Sequence, residues 1–166
     1  MTSMMILADT LHNPVDAAEM VLMEREWAFE RLHDGELLAE TSGIWGSYRL
    51  WFAWQEEFSG FTLGCAFATK LPKAAWTKMH ALIAMVNEKL WLGHFEIDSR
   101  EHTVAFRHTQ LVRDEAGTSA RQMQELLDIA VRECERFYPA MQAVVWGGKS
   151  PTEALEMALF ETIAEA

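Results

Sequence analysis

Apolar positions in this chain change spacing several times, and each change marks an element. Asn13-Pro14-Val15-Asp16 sets a capping residue before a proline at the first helical position, with an acid three residues after the cap. A helix is predicted from there to about Arg25. Trp27 to Leu32 fits either a helical extension or a strand. The strand is preferred, because Asp34-Gly35 then turns it into Glu36 to Thr41. Tyr48, Leu50, Phe52 and Trp54 alternate with Arg49, Trp51 and Ala53, and after a polar loop Phe61, Leu63, Cys65 and Phe67 alternate with small residues. Successive short connections make these strands antiparallel.

Helical spacing returns at Ala75, Met79, Leu82, Ile83, Val86 and Leu90, opened by Pro72 and ended by Gly93. A second hairpin pairs Phe95 and Ile97 with Val104 and Phe106 across Ser99-Arg100-Glu101. Ser119 and Gln122 form a capping box for a helix with an apolar stripe from Met123 to Met141, and Pro139 is expected to kink or interrupt it. Gly147-Gly148 breaks the chain, and Ser150-Pro151-Thr152-Glu153 caps a last amphipathic helix, docked or loosely held, bearing Leu155, Leu159 and Ile163. The prediction is an α+β fold, an antiparallel sheet with helices packed on it. Residues 1–12 would be an extension, 13–146 the single domain and 147–166 the C-terminal helix.

Composition narrows the function. The chain has 166 residues, half of them hydrophobic, which suits one packed domain. Twenty-five acidic residues against 14 basic ones give a formal charge of −11. That charge argues against nucleic acid and against an anionic membrane surface, since the basic residues do not cluster. The first ten residues lack the basic region of a signal peptide, and no apolar run is long enough to span a bilayer, so a cytoplasmic location is expected. Cys65 and Cys134 are read as buried free thiols, with a disulfide between them possible but unsupported.

Asn87, the run Gly93-His94-Phe95, Asp98, and Val104-Ala105-Phe106-Arg107 resemble the pattern of the YbjN family. That family is described as candidate bacterial sensory transduction regulators with a fold resembling type III secretion chaperones. The likeness extends more loosely from about Val15 to Pro139. It implies a compact fold, self-association as a homodimer, and a protein-binding or regulatory role. It carries over no catalytic residue, and the helix after Gly148 has no counterpart in it.

Local signatures of hydrolase, zinc protease, thiol redox and dinucleotide chemistry are absent from the sequence. Gly148-Lys149-Ser150 lacks the first glycine of a phosphate loop, where Ala143 stands, and reads better as a helix break followed by a cap. His94, His102 and His108 could be gathered by the second hairpin, but their spacing matches no known metal site. Neither an enzyme nor a cofactor or metal is expected. Trp51 is the informative residue: it lies opposite the row Tyr48, Leu50, Phe52 and Trp54, so both faces of the sheet carry large apolar groups. These four aromatics are candidate contacts for a protein partner. The second face would need cover from the terminal helix, another subunit or a client segment. The alternatives are a structural subunit of a larger assembly, or a small-molecule sensor or enzyme with Asn87 and His94 in a pocket between sheet and second helix.

Overall fold

The structure is a computed structural model and describes residues 10–113 and 117–164. Thr10–Leu11 (β1) pairs with Thr118–Ser119 (β8) in a two-stranded ladder. The main sheet has six antiparallel strands: Phe29–His33 (β2), Glu36–Ser42 (β3), Ser47–Gln55 (β4), Gly60–Phe67 (β5), His94–Asp98 (β6) and Thr103–Leu111 (β7). Their spatial order is β2-β3-β4-β5-β7-β6, so β2 and β6 are the outer strands. The helices are Pro14–Glu24 (α1), Trp76–Asn87 (α2), Ala120–Val145 (α3) and Pro151–Ala164 (α4). The α+β prediction holds.

Local chemistry explains the boundaries. The Asn13 side chain accepts from the Val15 amide at 2.9 Å and caps α1. Ser119 caps α3 by accepting from the Gln122 amide at 3.0 Å. Ser150 and Glu153 exchange side-chain and amide hydrogen bonds at 3.2 and 3.4 Å, the two halves of the capping box ahead of α4. In the second hairpin Phe95 faces Phe106 and Ile97 faces Val104, as the alternation requires.

Three expectations need correction. The second helix ends at Asn87, not Gly93, because the Asn87 side chain is committed to the strand that follows. It also begins later, at Trp76, after a 3₁₀ turn at Lys73–Ala75 that follows Pro72. And α3 is not interrupted at Pro139, one of the two effects expected there, but continues through it as one helix. An interior proline costs about 3 kcal/mol, and here Phe137, Ala140 and Met141 are all buried around it. Each buried large side chain returns roughly 1.5–3 kcal/mol, enough to keep the helix continuous.

Helices α1, α2 and α3 lie on the sheet face that presents Leu37, Leu50, Phe52, Leu63 and Phe106, and these side chains form the core with the α3 stripe. The last helix is docked: Ala154, Leu155 and Ala158 are buried, and α4 packs on α3 and α2. It therefore does not shield the second side of the sheet, one of the covers that side was expected to need. Among the described residues no helix lies over that side.

Cys65 and Cys134 are free and buried, with the Cys134 thiol directed at the Cys65 carbonyl oxygen at 3.7 Å. Burial pushes the Cys134 thiol well above its ordinary value, which keeps it protonated and unreactive.

Candidate functional site

The residues of the family pattern converge on the second hairpin. Asn87 Nδ2 donates to the Phe95 carbonyl at 3.1 Å, and Asn87 Oδ1 accepts from the Phe95 amide at 2.7 Å. One amide side chain thus serves as a strand partner for β6. Asp98 Oδ1 accepts from the amides of Arg100 and Glu101 at 2.8 and 3.2 Å and shapes the turn. Phe95 and Phe106 meet edge to face at 5.6 Å. Gly93 has φ +70° and lies so close to the ring of Phe106 that a Cβ there would come within 2.2 Å of it. Asn87, Gly93, Phe95, Asp98 and Phe106 therefore form one clip holding α2, β6 and β7 together.

Of the four aromatics expected to meet a partner, Tyr48 and Phe52 are fully buried under the helices, so neither is open to contact. Trp54 is half-buried against the same core. Trp51 alone points to the open face. Its indole lies flat over Gly64 of the neighbouring strand, where a Cβ would sit only 1.9 Å from the ring. Leu38 stands opposite Trp51 on β3 and is 39% exposed.

Around this pair runs a hollow of about 720 Å³ across the open face, with Ala66 in its floor and Glu36, Glu40, Arg49 and Arg107 in its walls. The face is more polar than the alternation in β4 alone suggested, because β3 places Glu36 and Glu40 on either side of Leu38. Arg49 reaches Glu101 at 4.0 Å, and Arg107 reaches Glu96 at 3.2 Å.

A second exposed apolar patch, not foreseen in the sequence, sits at the β3–β4 loop and the end of α3. Trp45 stacks on Tyr138 with centroids 6.2 Å apart, next to the largely exposed Ile44 and Trp146. Glu135 fixes this loop, its two carboxylate oxygens accepting from the Ile44 amide at 3.0 and 3.2 Å. Gly43 leaves room for that carboxylate, which a Cβ would overlap.

Tyr48 lies with its hydroxyl buried beside the Glu135 carboxylate, outside good hydrogen-bonding geometry yet near enough to interact with it. Burial first, and then the adjacent carboxylate, push its phenol well above the ordinary value of 10.0. A raised pKa in the folded state means that stability is intact below pH 10 and falls as pH rises past the unfolded value. Tyr48→Phe is expected to leave stability at pH 7 unchanged or slightly higher, since it deletes an unsatisfied hydroxyl. It should also remove part of the loss seen in urea titrations between pH 10 and 12. A drop at pH 7 would mean that the hydroxyl does bond Glu135.

The three hairpin histidines do not come together. His94 pairs with Glu96 at 3.4 Å, His108 contacts Gln110 at 3.1 Å, and His102 packs on Trp76 with ring centroids 5.4 Å apart. Among the described residues no group of three or more potential ligands could hold a metal. Both polar ends of the Asn87 side chain are committed to Phe95, which removes it as a pocket contact. No described helix is long and apolar enough to cross a membrane.

Fold and clip together define a helix-backed antiparallel sheet with one uncovered face. The family model for YbjN, described as "Putative bacterial sensory transduction regulator", matches residues 14–143, and the chain belongs to that family. A solved relative in fold is the structure titled "Crystal structure of YbjN, a putative transcription regulator from E. coli". It matches with a TM-score of 0.56 at 8% identity, over 82% of this chain and 92% of that one. No curated protein matches the chain.

Proposed function

We propose that this protein is a non-enzymatic, chaperone-like or regulatory binding module of the bacterial cytoplasm, and that its uncovered sheet face receives a partner chain. The observation that carries this reading is the pair Trp51 and Leu38, large apolar side chains left on the one face that no described helix covers. Tryptophan at the centre of a patch is the residue type that most often dominates binding energy. The family's regulatory description fits a protein that acts by association. A homodimer is part of the reading, and the exposed patch of Ile44, Trp45 and Trp146 suits a subunit contact.

Crosslinked capture from the native cytoplasm tests it. Trp51→Glu is expected to reduce recovery of the bound protein by about 30-fold, the effect of losing roughly 2 kcal/mol. Met23→Glu, on the exposed side of α1, should change recovery less than twofold. Equal recovery with both variants, or no companion at all, would remove the uncovered face as the binding site. Sedimentation under dilution decides the dimer separately, with Trp146→Glu expected to shift it toward monomer.

A further inference from the structure

The identity of the segment that the uncovered face accepts can be narrowed from its charges, an inference that rests on the reading above. The hollow is lined by five carboxylates, Glu30, Glu36, Glu40, Asp98 and Glu101, against three guanidiniums, Arg49, Arg100 and Arg107. The balance is uneven in space. Arg107 is engaged by Glu96, Arg49 stands across the ladder from Glu40 with Glu101 4.0 Å from it, and Arg100 stands at the β6–β7 turn, at the far end of the sheet from β2 and β3. On the β2–β3 side, among the described residues, Glu36 has only His33, at 3.2 Å, Glu30 has no ion-pair partner, and Glu40 has Arg49 opposite it on β4 but no ion pair within 4 Å, so three carboxylates there share one nearby guanidinium. These carboxylates surround Leu38 and adjoin Trp51. Among the described residues no cation sits on the Trp51 ring, whereas Arg25 and Arg136 do lie over Trp27 and Phe137.

A flat indole beside unpaired carboxylates suits a lysine or arginine side chain, attracted by the ring face and by the acids together. A second copy of this chain fits the same place poorly. Its net charge is −11, and a two-fold contact through this face would set one acidic wall against another. We propose that the uncovered face takes a basic polypeptide segment of another protein, which seats a lysine or arginine on Trp51 and an apolar side chain against Leu38.

Selection from a random displayed peptide library tests this. The bait is the full chain, with counter-selection on Trp51→Glu after a melting curve has shown that variant to be folded. Surviving peptides should be rich in lysine and arginine. Their affinity should fall at least tenfold in Glu36→Lys/Glu40→Lys and at least tenfold between 50 and 500 mM salt, about the loss expected when exposed charge attraction is screened. Glu57→Lys, outside the hollow, should alter it less than twofold. Neutral or acidic survivors that still need Trp51 would overturn the charge assignment and leave the docking face standing. No survivors would overturn both. A dimer that Trp51→Glu converts to monomer would give the face to a second copy and overturn the inference.

Discussion

Replacing Asn87 by alanine is expected to lower the unfolding free energy by about 2–4 kcal/mol, because it strips both the amide and the carbonyl of Phe95 of their partner. Each bond contributes on the order of 1 kcal/mol net, and each group left unmatched in a part-buried place adds a desolvation cost. Urea denaturation reads this as a lower midpoint at unchanged slope. Asn87→Asp keeps the acceptor for the Phe95 amide but turns the donor into a second acceptor facing the Phe95 carbonyl. Its loss should fall between zero and that of alanine. An alanine variant as stable as the parent would mean that the clip is dispensable.

Gly93→Ala is expected to cost a similar amount, roughly 2–4 kcal/mol, from two sources that act together. The backbone at φ +70° disfavours any residue with a Cβ, and the added methyl runs into the ring of Phe106. Phe106 is fully buried, so its ring has nowhere to retreat. Adding Phe106→Leu should recover part of the loss of Gly93→Ala, although by itself it opens a void. That non-additivity separates collision from backbone strain. If the double variant shows the plain sum of the single effects, the backbone accounts for the whole cost.

Much of this architecture was legible in the chain because short connections and period-two alternation leave few options for pairing. The Asp34-Gly35 turn, the opposition of Phe95 to Phe106, and the capping signals at Asn13 and Ser150 appear as read, and at Ser119 the hydroxyl half of the expected capping box is present. What failed was decided by side-chain contacts between elements, which periodicity within one element does not reveal. The end of α2 depends on where the Asn87 side chain goes, and the survival of α3 past Pro139 depends on the core around it.

The candidate site was half legible. Alternation put Trp51 on the opposite face from Tyr48 and Phe52, but it could not show that all the helices would gather on one side. That arrangement turned two of the four aromatics into core. Leu38 was accessible from the same reasoning, since Glu36, Leu38 and Glu40 share one face of β3. The patch at Trp45 and Trp146 joins residues about one hundred positions apart, and no local pattern points to it.

The two flanks of the sheet share a device. At β6 the Asn87 side chain occupies the main chain of Phe95, and at the β2 turn Arg31 and Asn13 side chains donate to the carbonyls of His33 and Asp34. A stray strand from a neighbouring molecule thus meets main-chain groups already taken at the middle of β6 and at the end of β2, which makes lateral extension of the sheet less favourable at those points. In a crowded solution those occupied groups favour contact between molecules through side chains over lateral strand pairing there.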